Sequence, residues 1–94
     1  MKTKDLYVKK VQAQLDEWDA DIRKLRAKAD KASADAELEY KAQIETLKRE
    51  REKADDKLAE LKSASDDAWE DLKTGLESAT HALGSALKSA AARF

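Results

Sequence analysis

The side chains best placed to do chemistry in this chain are a glutamate and a histidine near its C-terminal end. Glu77 precedes His81 by four residues, so a helix would place both on one face, where they could supply two ligands to a metal ion. Two ligands from one helix are too few for a metal site. The adjacent carboxylates at positions 55–56 and 66–67 point to different parts of a helix surface and form no catalytic dyad. We therefore expect these groups to face solvent.

The remaining composition also argues against an enzyme. The chain has one His, no Cys, two Gly and no Pro, and it contains neither a zinc motif nor a glycine-rich phosphate loop. We predict no catalytic residue, no metal and no cofactor. Its 19 basic and 20 acidic side chains are interleaved, which argues against nucleic-acid binding. No stretch is apolar enough for a signal segment or a membrane span, so the expected location is cytoplasmic.

The elements that must position any functional group are predicted to be long amphipathic helices. Charged residues make up 41% of the 94 residues, against about 25% in an ordinary globular domain. Large apolar side chains recur in steps of three and four through the first two thirds of the chain, which is a coiled-coil pattern. These side chains form an apolar seam along one face of the helix. Because such a seam needs another helix to pack against, we expect it to join copies of the chain. The predicted oligomer seam comprises Val8, Val11, Leu15, Trp18, Ile22, Leu25, Tyr40, Ile44, Leu47, Leu58 and Leu61.

The stretch between Leu25 and Leu38 contains no large apolar residue and permits two interpretations. Alanine is the best helix former, so one interpretation is a continuous helix from about residue 4 to 62. The alternative is a turn at residues 30–35, with Ser33 or Asp35 capping a new helix. The absence of Gly and Pro favours the continuous helix.

A change of composition divides the chain at residue 63. Residues 1–62 form a highly charged segment with 31 charged side chains, whereas residues 63–94 carry eight. Ser63 or Ser65 could cap a second helix, with acidic residues in its first turns. We therefore predict a kink or turn at 63–66 between a coiled-coil helix and a low-charge amphipathic helix that ends near residue 92.

The C-terminal helix has an apolar stripe with mostly small, uncharged residues on the opposite face. Gly75 and Gly84 each weaken it by about 1 kcal/mol relative to Ala, so it should need a surface to lie against. That surface is expected to be protein, and peripheral contact with lipid is the alternative. The stripe consists of Trp69, Leu72, Leu76, Leu83, Leu87 and Phe94.

Three segments of the chain resemble a family of short bacterial coiled-coil proteins, described in cyanobacteria and proteobacteria as stress-response or hypothetical proteins. The resemblance lies in QAQLDEWDADIRKLRAKADKASADAELEY, in KREREKADDKLAELKSASDDAWEDLKTGLESA and in SALKSAAARF. It implies a small soluble coiled coil associated with stress conditions, and it carries over no catalytic residues. A looser likeness, to apolipoprotein-type and desiccation-protection helices, rests only on repeated amphipathic turns.

These observations predict an all-α protein. The favoured architecture is a long helix with a turn near 63–66 and a second helix, assembled as an elongated, antiparallel homo-oligomer. The alternative is a compact three-helix bundle, because turns at 30–35 and 63–66 would give three helices of nearly equal length. The predicted function is that of a non-enzymatic scaffold or oligomerisation protein. The alternative function is binding to lipid or another apolar surface through the C-terminal helix, and a helix of another protein is a further possible partner.

Overall fold

The computed structural model describes residues 3–93, which form three helices. These are α1 (Thr3–Asp30), α2 (Ala34–Ser63) and α3 (Trp69–Arg93). They pack side by side, with α2 antiparallel to both neighbours, in a particle of 51 × 19 × 19 Å. The prediction of an all-α protein is confirmed. The architecture is the compact three-helix bundle, and the favoured elongated arrangement with one helix over residues 4–62 does not form.

The first break lies at residues 31–33. Ser33 has an extended backbone (φ −63°, ψ 161°), and its hydroxyl accepts a hydrogen bond from the Ala36 N–H at 3.5 Å. Two acidic residues in the first turn of α2 complement the positive end of the helix. A straight helix would have no large apolar side chain to bury between Leu25 and Leu38. Breaking the helix there therefore costs little packing energy. The structure thus corrects the continuous helix and shows the serine cap that the alternative proposed.

The second break covers residues 64–68, slightly beyond the predicted 63–66. Ala64 is extended (φ −75°, ψ 151°), and its N–H donates to a carbonyl in the last turn of α2. The Ser65 carbonyl accepts from the N–H groups of Ala68 and Trp69, both at 3.1 Å. Ser63 belongs to α2 and therefore does not cap α3, whereas the carbonyl of Ser65 accepts the first hydrogen bonds that lead into α3. Since both breaks use extended backbone, neither turn needs glycine.

One apolar core lies between the three helices and includes residues from both sides of the predicted division at residue 63. Within residues 3–93, no polar or charged side chain is fully buried there. The leucines that are essentially inaccessible to solvent are Leu15, Leu47, Leu58, Leu61, Leu76 and Leu83. Burial of one such side chain contributes about 2 kcal/mol, so these six positions account for much of the stability of the fold.

A lysine joins the start of α1 to the end of α2. Lys4 Nζ donates to the Lys62 carbonyl at 2.9 Å and to the Ala64 carbonyl at 2.6 Å. These carbonyls belong to the region where α2 runs out of intrahelical donors, and the ammonium complements the negative end of the helix. Lys4 therefore caps α2 and holds the antiparallel pairing at this end of the bundle.

Candidate functional site

A groove runs between α1 and α3, whereas α2 packs closely along both of them. One section of the groove has a volume of about 590 Å³ and a second, adjoining section about 360 Å³. The sections share Trp18, Gly84 and Lys88, so they form one trench, which we call the α1–α3 groove. Along α1 it extends from Tyr7 to Lys28, about 30 Å at 1.5 Å per residue.

The α1–α3 groove has an apolar floor and a polar rim. Val11, Leu25 and Leu87 line it and are buried, and Trp18 is half-buried. The exposed polar residues that line it include Lys10, His81, Ser85 and Lys88. An elongated trench with these two components suits a ligand that has one apolar and one polar face.

Trp18 lies across the centre of the groove against a glycine of α3. A Cβ atom at Gly84 would be only 3.0 Å from Trp18 Cζ2 and 3.3 Å from Cη2. The missing side chain therefore lets the indole ring lie directly against the backbone of α3. This contact of a large residue with the smallest one brings the two parallel helices together at one level of the bundle.

Three side chains close the groove at the end nearest the N-terminus. The rings of Tyr7 and Trp69 lie 5.8 Å apart, and Lys73 Nζ is 5.0 Å from the centre of the tyrosine ring. Burial raises the pKa of Tyr7, and the negative charge of Glu77 raises it further. The cluster joins the start of α1 to the first turns of α3.

The contact between α1 and α2 carries an ion pair at its middle. Arg51 Nε lies 2.8 Å from Asp19 Oδ1, and its Nη2 lies 3.2 Å from Oδ2. A second carboxylate, that of Asp55, is 2.7 Å from Nη1. The hydrogen bond to Asp19 is the main cause that raises the pKa of Arg51, although burial opposes it. The charged head of Arg51 therefore fixes the register of the two helices.

The residues predicted to form an oligomer seam lie inside the bundle of a single chain. Those that are buried are Val11, Leu15, Ile22, Leu25, Ile44, Leu47, Leu58 and Leu61. Those that pack against the core while partly exposed are Val8, Trp18 and Tyr40. In this structure the seam meets other helices of the same chain, because the turn at residues 31–33 folds α2 back onto α1.

The C-terminal stripe also faces this core. Trp69, Leu76, Leu83 and Leu87 are buried, and Leu72 packs against them while partly exposed. Phe94 lies outside the described residues. Contact between this stripe and lipid would therefore require α3 to separate from α1 and α2.

Glu77 and His81, which were considered as metal ligands on the basis of their spacing, are both exposed. His81 lines the groove, and Glu77 Oε1 lies 3.8 Å from Lys73 Nζ, so the glutamate has a lysine as its ionic partner. In the described part of the chain, no group of three or more His, Cys, Asp or Glu side chains is arranged to hold a metal ion.

Sequence reasoning missed the α1–α3 groove. The rim residues Lys10, Gln14 and Lys88 had no predicted role, and Gly84 was expected only to weaken its helix. The groove depends on which helices become neighbours, and a seam pattern contains no such information. The one local signal was a glycine in the middle of a strongly amphipathic helix, which often marks close packing of a large side chain.

The fold and the groove define a three-helix bundle with a candidate helix-binding face. No family model matches the chain, and no curated protein or solved structure matches it either. A search of residues 3–93 finds no helix that is long and apolar enough to cross a membrane.

Proposed function

We propose that the protein is a non-enzymatic helical scaffold that acts by association and holds a partner helix in the α1–α3 groove. The observation that carries this proposal is the groove itself, a trench about 30 Å long with an apolar floor. The partner helix can belong to a second copy of the chain or to another protein.

The chemistry of the groove supports a helical partner. Amphipathic helices bind grooves through apolar residues spaced three and four apart, and the groove presents apolar side chains over several helical turns. Trp18, at its centre, is half-buried and can lose the rest of its exposed surface on binding. Tryptophans near the centre of an interface often carry much of the binding energy.

A thiol-reactive fluorophore can test the location of binding, because the chain has no cysteine. His81→Cys places the label in the groove, and Ala82→Cys places it about 100° around α3, on an exposed position outside the groove. The probe is an amphipathic peptide of about 20 residues with leucines on one face and uncharged polar residues on the other. We expect a saturable change of emission for the His81→Cys label and little change for the Ala82→Cys label.

Two results would count against the proposal. If neither label responds at peptide concentrations where the peptide is monomeric, the groove does not bind helices. If both labels respond equally, the peptide coats the surface without choosing the groove. Light scattering on the unlabelled chain then shows whether a second copy supplies the helix.

Binding to an apolar surface through α3 is the second candidate function. It is favoured by the low charge of α3, in which Glu77 and Lys88 are the only Asp, Glu, Lys or Arg residues between Thr74 and Ala92. Because the stripe is buried, binding would expose and re-bury several large side chains at about 2 kcal/mol each. Only an extensive apolar surface, such as a lipid interface with packing defects, can replace those contacts.

Flotation of the chain with small phosphatidylcholine vesicles, followed by hydrogen exchange of the bound protein, tests this candidate. We expect bound protein to show faster exchange in α1 and α2, because α3 no longer covers them. No flotation, or flotation with the exchange pattern of the closed bundle, would contradict the opening of α3. The cytoplasmic location and the association with stress conditions remain predictions from the sequence.

A further inference from the structure

We propose that the helix bound in the α1–α3 groove is acidic, with carboxylates flanking an apolar face. This inference rests on the proposed function and names the chemistry of the partner. It follows from the arrangement of charges along the groove, which differs from that of the chain as a whole.

The rim of the groove is more basic than the rest of the surface. It carries four lysines, Lys10, Lys24, Lys28 and Lys88, against two carboxylates, Asp21 and Glu77. The whole chain is nearly balanced, with 19 basic and 20 acidic side chains. The residues lining the groove therefore carry a net charge of +2, whereas the whole chain carries −1.

The lysines of the rim are also without ionic partners inside the protein. In the described part of the chain, five lysines outside the rim lie within 4 Å of a carboxylate, as Lys41 does of Glu37 at 3.1 Å, but no such contact involves the four rim lysines. Of the two rim carboxylates, Glu77 has Lys73 as its partner at 3.8 Å. A partner with carboxylates would meet cations that no internal acid neutralises.

The positions of the lysines fit a helix lying along the trench. Lys10, Lys24 and Lys28 lie on α1 and Lys88 lies on α3, so a lysine borders the apolar floor on each side and the net positive charge lies on the α1 side. An amphipathic helix with acidic residues on both flanks of its apolar face would place leucines near Trp18 and carboxylates near both rims. Electrostatic complementarity of this kind raises the association rate and selects among partners.

The same charges argue against a second copy as the occupant. A dimer through this face would bring together two rims that each carry four lysines and two carboxylates, and the net positive charge of both surfaces disfavours association. The acidic helix of another protein avoids that repulsion.

The test compares peptides of equal apolar content by fluorescence anisotropy. Two labelled peptides of about 20 residues share one leucine face, and glutamates flank it in the first whereas lysines flank it in the second. We expect the glutamate peptide to bind about tenfold or more tightly than the lysine peptide, with an affinity that falls as salt rises.

Paired variants of the full chain locate the effect. Lys24→Glu with Lys88→Glu reverses two rim charges, and Lys9→Glu with Lys62→Glu makes the same charge change at exposed positions outside the groove. We expect the rim pair to weaken binding of the glutamate peptide about tenfold and the control pair to weaken it less than about threefold. All four positions are exposed, so both variants should fold.

Each of the other outcomes would overturn the proposal that an acidic helix binds the groove. Equal binding of the glutamate, lysine and uncharged peptides would overturn the acidic partner and leave the proposed function standing. No binding of any peptide would overturn both. A stable dimer that the rim pair strengthens would make a second copy the occupant. Groove-dependent binding to phosphatidylglycerol vesicles without peptide binding would replace the acidic helix by an anionic lipid surface.

Discussion

The interfaces that α2 makes and the face between α1 and α3 are built in different ways. Leucines that are inaccessible to solvent seal the contacts of α2 with its neighbours, and Arg51 adds a charged contact to Asp19. Between α1 and α3, by contrast, Trp18 rests on Gly84 and a trench remains on both sides of the contact. The comparison indicates that the stability of the fold depends mainly on α2, while the proposed binding surface is the face that α2 does not cover.

The largest expected effect on stability comes from truncating a buried leucine in the interfaces of α2. Leu47→Ala removes a fully buried side chain and should lower the free energy of unfolding by about 2–5 kcal/mol. Leu38→Ala is the matched control on the same helix, because Leu38 is 69% exposed, and it should change stability by less than about 0.5 kcal/mol. Urea unfolding followed by circular dichroism measures both. Similar losses for the two variants would mean that Leu47 does not face a closed core.

The ion pair between α1 and α2 should have the next largest effect. Asp19→Asn removes the carboxylate from a guanidinium whose side chain is only 16% exposed, and about 1–2 kcal/mol of stability should be lost. The remaining contact with Asp55 limits the loss. A double-mutant cycle with Arg51→Met isolates the coupling between the two side chains. A coupling energy near zero would show that the pair does not fix the register of α1 and α2.

The two glycines of α3 provide a sharper comparison, since only one of them lies against an aromatic ring. A Cβ at position 75 meets only the Lys57 side chain at 3.8 Å, so Gly75→Ala should stabilise the protein by about 1 kcal/mol. Gly84→Ala gains the same helix propensity but pushes on Trp18, so its net stabilisation should be smaller by about 0.5–1 kcal/mol. Thermal unfolding measures the difference. Equal gains would show that Trp18 does not pack on Gly84.

The smallest expected effect is a change in the pH dependence of stability, caused by Tyr7 at the end of the groove nearest the N-terminus. The pKa of Tyr7 is raised in the folded protein, so its contribution to stability is present below the ordinary tyrosine pKa of about 10 and is lost as pH rises through the folded value. Tyr7→Phe should therefore lose less stability than the wild type between neutral pH and the alkaline range. Parallel urea midpoints for the two proteins at all pH values would contradict the burial of the phenol.

Much of the fold follows from the sequence, because helix propensity and apolar spacing are local properties. The apolar positions predicted for the seam and the stripe lie in or against the core wherever the structure describes them. The break at 64–68 was predicted near 63–66, and the break at 31–33 was the alternative to a continuous helix. Across residues 30–35 the absence of Gly and Pro favoured a straight helix, and this argument failed because Ser33 turns the chain with extended backbone.

The sequence could not decide whether the helix that packs against the seam belongs to the same chain or to another one. A seam such as the one containing Leu15 and Leu47 buries the same surface whether the facing helix belongs to the same chain or to another. A short turn, capped by Ser33, decides between the two, and its energy is small compared with that of the seam. The groove was still harder to predict, because Trp18 and Gly84 come together only after both turns have formed.

Small-angle X-ray scattering on an absolute intensity scale tests the central claim, that one chain satisfies its own seam and leaves the α1–α3 groove open. The account predicts a particle with the monomer mass of 10.5 kDa, a longest dimension close to the 51 Å span of the backbone and a radius of gyration near 15.3 Å. A multiple of that mass with a longest dimension near or above about 90 Å, the length of a continuous helix over residues 4–62, would contradict it. The seam would then join separate chains, and the groove would not exist in solution.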